Sequence, residues 1–141
     1  MCLPVKPYKV EREWEHAGLL CAVVQAKEAG HRCGYVRVPP SHSAHGKDYN
    51  ELDVSVHGGL TFGAIEPCAH EDGVGFWFGF DCVHSGDASY DPSVKPEDVS
   101  EPVRMCMEID RKYPIGGQHY WLQDEVESET EQLAEQLAAI S

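Results

Sequence analysis

A chain of 141 residues with a formal net charge of -13 is long enough to bury a core of its own, and its charge opposes binding to long nucleic acid, which needs clustered Lys and Arg. No apolar run approaches the roughly 20 residues a spanning helix needs, and the opening MCLPVKPYKVEREWE lacks the apolar centre of a signal peptide. These features predict one soluble, cytoplasmic domain that works without a membrane.

Residues 1–15 mix Pro4, Pro7 and alternating charges around Trp14, and read as an extended lead-in. Next come two apolar runs, LLCAVVQA (19–26) and HRCGYVRV (31–38), separated by KEAG, which is a hairpin signal. A helix over 14–28 competes, but Val23, Val24 and the following turn favour strands. Pro39 and Pro40 end the second strand, since proline cannot donate to a ladder. The loop SHSAHGKDYN then leaves His42, His45 and Lys47 exposed or folded over the sheet edge.

LDVSVH alternates strictly, placing Leu52, Val54 and Val56 on one face and Asp53, Ser55 and His57 on the other, just before a Gly58-Gly59 turn. A short strand over 60–65 and a turn at EPCAHEDG lead to 75–82, expected as the central strand, with Phe76, Phe78 and Phe80 on one face and Trp77, Gly79 and Asp81 on the other. Gly79 leaves space beside Asp81, for a ligand or for tight packing. After a long loop over 83–102, VRMCMEID (103–110) alternates well enough for a strand, with a short helix as the alternative. From 120 to 140, Leu122, Val126, Leu133, Leu137 and Ile140 form one apolar stripe of a helix. The acids Asp124, Glu125, Glu127, Glu129, Glu131 and Glu135 give that helix a negative outer face, read as solvated.

The segment 56–87, VHGGLTFGAIEPCAHEDGVGFWFGFDCVHSGD, concentrates the candidate chemistry, because His57, Glu66, His70, Asp81, His84 and Asp87 interrupt an apolar, glycine-rich pattern. His57, Asp81, His84 and Asp87 suit a divalent metal such as Zn, Mn or Fe that activates water, although no metal motif fits their spacing. The plain alternative is that Asp81 and His84 bond to turn backbone while Asp87 caps the Ser85-Gly86 turn. Cys68-Ala69-His70 and Cys82-Val83-His84 offer a second metal set, since residues two apart in a strand point the same way. With no export signal, the six cysteines are expected mostly reduced and serving as packing, and Cys82 is expected as a buried thiol rather than a nucleophile. The remaining candidate is a binding pocket: rings of Trp77, Tyr49 and Tyr90, polar groups from His57, Asp81 and Arg37, and backbone N–H groups of HGGLT that cradle an anion.

GYVRVP, GKDY, HGGLTF, FWFGFDCVHSGD and a terminal helix ending LAEQLA together resemble a family of small proteins of bacteriophages and their actinobacterial hosts. The resemblance spans roughly residues 19–139, with HGGLT and FGFDCxHxGD as its specific parts. It implies that His57, Gly58, Gly59, Asp81, Cys82, His84, Gly86 and Asp87 belong to the family's signature, and it implies a phage setting without a reaction.

The expected architecture is an α+β domain: an antiparallel sheet within residues 19–110, covered on one face by the C-terminal helix. The expected function is capture of a small nucleotide-like ligand in a counter-defence role, through His57, Gly58, Gly59, Trp77, Asp81, His84 and Asp87. A metal-assisted hydrolase of a phosphodiester, using His57, His84 and Asp81 or Asp87 as ligands or as acid and base, is the runner-up. A third reading is an inhibitor that binds a host protein through the acidic helix.

Overall fold

Five strands, β1 (Lys9–His16), β2 (Leu19–Gln25), β3 (Arg32–Val38), β4 (Phe62–Ile65) and β5 (Phe76–Asp81), form one antiparallel sheet in the order β1-β2-β3-β5-β4. Two helices follow, α1 (Glu101–Lys112) and α2 (Gln123–Ala139). The computed structural model describes residues 3–4, 9–26, 30–82, 93–113 and 119–140. The expected α+β architecture is present, but the sheet runs from residue 9 to residue 81 rather than from 19 to 110.

β2, β3 and β5 are interior strands, and their sequences are near-continuous apolar runs because both faces are buried. One face, with Cys21, Val23, Val36, Val38, Phe78 and Phe80, meets Val126, Leu133, Ala134 and Leu137 of α2. The other carries Ala22, Val24, Cys33, Tyr35 and Trp77. The predicted split of Phe76, Phe78 and Phe80 from Trp77 therefore holds. β3, rather than β5, occupies the centre. The helix stripe holds in its middle but not at its ends, since Leu122 and Ile140 are exposed while Thr130 is buried. The closest approach is at Gly34, where a Cβ would lie 2.2 Å from Thr130 Oγ1.

From residue 9 on, the expected lead-in is in fact the edge strand β1. It turns into β2 through Ala17 (φ 54) and Gly18 (φ 80), two successive positive-φ residues of the kind tight hairpins require. Arg12, Trp14 and His16 share the α2 side of β1, where Arg12 pairs with Glu127. Trp14 Nε1 donates to Glu131 at 3.0 Å, and His16 meets Glu131 at 3.2 Å and Glu135 at 2.7 Å. Two strand residues advance about 6.6 Å and four helical residues about 6 Å, so the two rows stay in step. The acids Glu127, Glu131 and Glu135, expected as a solvated face, are thus engaged within the fold, and reversing their charge would unseat β1. Trp14→Phe removes one donor and should lower stability by about 1 kcal/mol in urea unfolding; an unchanged midpoint would mean the Trp14–Glu131 bond contributes nothing.

Residues 52–56 have no regular secondary structure and join no strand, although Leu52, Val54 and Val56 are turned to the core as predicted. Their backbone partners are side chains of α2: Ser55 N–H donates to Gln136 Oε1 (2.7 Å), and Gln136 Nε2 donates to Ser55 O (2.9 Å). His42 is buried rather than exposed. Ala44 N–H donates to its Nδ1, so Nε2–H donates to Leu137 O at 2.8 Å, and Ser43 Oγ donates to Ile140 O. Together they satisfy carbonyls that a helix C-terminus leaves open.

The strand expected over 103–110 is instead helix α1. Pro102 sits in its first turn and Arg111 and Lys112 in its last, which suits the helix dipole. The alternating apolar residues divide between two helical rows, and Met105, Ile109 and Tyr113 remain exposed. Among the described residues no helix is long and apolar enough to cross a membrane.

Candidate functional site

The HGGLT and FGFDC segments meet where β4 begins and β5 ends. Val56–Gly59 forms a turn closed by Gly59 N–H to Val56 O at 2.9 Å, and Gly58 (φ 69) supplies the left-handed third position that favours glycine. The chain then joins β5, with Thr61 N–H donating to Gly79 O at 3.0 Å. Thr61 Oγ1 donates to Asp81 Oδ2 at 3.1 Å. Beside this bond lies a cleft of about 140 Å3 lined by His31, Cys33, Tyr35, Thr61, Phe62, Phe80 and Asp81. Asp81 is half-buried, and the Tyr35 and Phe62 rings pack edge to face with centroids 5.3 Å apart.

The electrostatics of this cleft leave its thiol without nucleophilic character. Burial pushes the Cys33 thiol up to about 12, and the Asp81 carboxylate adds to the rise. At neutral pH it is a protonated, inert group. Burial lowers His31, opposed by the attraction of Asp81. The Cys21 thiol, raised to about 12 first by burial and then by Glu131, is equally inert. Cys82 is a buried thiol, as expected.

His57 belongs to a different surrounding. Its ring lies against Trp121 with centroids 4.2 Å apart, and its backbone N–H donates to Glu129 Oε1 at 2.7 Å. The HGGLT amides were expected to cradle an anion, and the anion that His57 N–H holds is the chain's own Glu129 carboxylate. Gly59 and Thr61 amides are also bonded internally, so these three offer no cradle for a phosphate.

Two other expected contributors are taken up by the core. Trp77 is fully buried, with Nε1 donating to Glu66 Oε2 at 3.2 Å, so its ring has no face to offer a ligand. Gly79 does leave space, but Tyr35 fills it: a Cβ there would lie 2.4 Å from Tyr35 Cδ1. Arg37, opposite Trp77 in the β3–β5 register, donates to Glu66 at 2.9–3.1 Å and to Asp72 at 2.8 and 3.0 Å. Gly75 makes this possible, since a Cβ there would lie 2.3 Å from Arg37 Nε. Asp72, then burial opposed by Glu66, sets Arg37, which is held firmly protonated. Burial works to raise Glu66, but Arg37, the Gly75 N–H and Trp77 outweigh it and hold the carboxyl below its ordinary range. Asp72 is lowered chiefly by Arg37.

Among the described residues no three His, Cys, Asp or Glu side chains gather as a metal site. Cys68 is disulfide-bonded, so the two Cys-x-His pairs do not provide a Cys2His2 set. His84, Asp87 and Tyr90 lie outside the described residues. The cleft's other walls, His31 just before β3, Tyr35 on β3 and Phe62 on β4, have no local sequence signal, because β3 and β4 reach the cleft only through their pairing with β5. No family model, curated protein or solved structure matches this chain. The reading of the cleft therefore rests on its own residues.

Proposed function

We propose that this protein binds a small nucleotide-like ligand in the cleft beside Asp81. The observation that supports the reading is the Thr61–Asp81 bond, which joins the HGGLT and FGFDC segments at the wall of the cleft. A volume of about 140 Å3 falls below the roughly 300 Å3 at which pockets for whole drug-sized ligands begin, so it suits a single base rather than a complete nucleotide. Asp81 accepts hydrogen bonds from the N–H edge of a base, and Tyr35 and Phe62 supply the apolar wall. The sugar and phosphate lie outside, away from the carboxylate. The role we attach to this capture is counter-defence, by analogy with other small acidic proteins of the phage setting that the sequence resemblance implies.

Isothermal titration with guanosine and GMP tests the reading. Asp81→Asn keeps an acceptor for Thr61 but loses the charge, and should weaken binding at least about tenfold. The ligand should be recovered unaltered. Undiminished binding by Asp81→Asn would refute the site, and chelator-sensitive turnover would replace capture with hydrolysis.

A further inference from the structure

A second cavity, of about 330 Å3, opens where the loop after β3 crosses the end of β4 and β5. Tyr49 and Phe76 form its walls, both half-buried against the α2-side core. Gly63 forms its floor, and a Cβ there would come within 3.3 Å of the Phe76 ring and 3.5 Å of the Tyr49 ring. Glycine at this strand position keeps the space between the two rings open. His45 fixes one wall, its Nε2–H donating to Val74 O at 2.8 Å and its ring standing edge-on to Phe76, 5.8 Å away.

The charge at this mouth differs from that of the Asp81 cleft. Arg12, Arg32 and Arg37 are held by carboxylates. Lys47 lines the cavity, is exposed and makes no ion pair among the described residues. Asp48 also lines the cavity, and its carboxylate is turned to a local task, accepting from Asn50 N–H at 2.9 Å. An ammonium beside two ring walls and a glycine floor has the complementarity of a flat ring that carries one anionic group. The volume lies in the range of small-ligand pockets, and the net charge of -13 disfavours anything with many phosphates.

We infer that this slot is a separate binding site for a small planar aromatic anion, the chemistry shared by nucleoside monophosphates and aryl carboxylates. It goes beyond the Asp81 cleft and does not depend on it. Titration of the 15N-labelled full chain with AMP, benzoate and uncharged adenosine tests it through the amide shifts of Gly46, Lys47 and Gly63. The anions should move these amides, with adenosine about fivefold weaker or more, and the tighter of AMP and benzoate identifies the source. Lys47→Ala, an exposed change that leaves packing alone, should weaken the anion about tenfold. Gly63→Val, whose branched side chain suits a strand, should abolish binding by filling the slot. The inference is overturned if neither anion shifts these amides at millimolar concentration, or if Lys47→Ala binds as the wild type does. Shifts confined to Thr61, Phe62 and Asp81 would also overturn it while leaving the cleft reading intact.

Discussion

Glu66→Ala is expected to lower stability by about 3–5 kcal/mol, enough to unfold much of the population of an ordinary domain. The Glu66 side chain is fully buried and accepts from Arg37, from Gly75 N–H and from Trp77 Nε1. Its removal leaves a buried guanidinium with only the half-exposed Asp72 as an ionic partner. The cost is chiefly that of an uncompensated charge rather than of lost packing. The same network sets an acid limit. Because the native Glu66 carboxyl lies below its ordinary 4.5, its contribution is complete above that pH and is lost as the pH falls through the depressed native value. Urea midpoints measured between pH 7 and pH 3 should therefore fall steeply at the acid end. A midpoint for Glu66→Ala that equals the wild type at pH 7 would show that the Arg37 network does not stabilise the fold.

Gly34→Ala is expected to cost about 3 kcal/mol, the upper part of the usual range for overpacking. The added methyl would stand 2.2 Å from Thr130 Oγ1 and 2.6 Å from the Phe80 ring, both fully buried, so neither has room to retreat. Combining it with Thr130→Ala should recover only part of the loss, since the Phe80 clash remains. Thermal unfolding of both single variants and the double variant measures this coupling. A fully stable Gly34→Ala would mean that α2 does not lie against β3 at this point.

The parts of the fold legible in the sequence were those organised by apolar periodicity. β2, β3 and β5 announce themselves because both faces are buried, and the middle of α2 because Val126, Leu133 and Leu137 fall on one side. β1 was missed because its inward row is Arg12, Trp14 and His16, which faces carboxylates and so carries no hydrophobic alternation. The opposite error occurred in α1, where Val103, Met105, Met107 and Ile109 imitate a strand by composition. For 52–57 the burial pattern was right and the partner wrong, because side chains of α2 replace the neighbouring strand.

The candidate site divides in the same way. That HGGLT and FGFDC meet was readable from polar groups leaving apolar runs, and Thr61 and Asp81 do touch. The roles of Trp77 and Arg37 were not readable. Their union with Glu66, 29 residues from Arg37, depends on strand register that no local pattern encodes.

The row of bonds from β1 to α2 joins positions more than a hundred residues apart in sequence, Arg12 and Glu127 among them. A nascent chain that has completed the five strands of the sheet still exposes Cys21, Val23, Phe78 and Phe80, because their cover, α2, is made after them. Pairings of such long sequence separation form slowly. During synthesis the sheet therefore waits with an adhesive apolar side in the open, when self-association competes with docking.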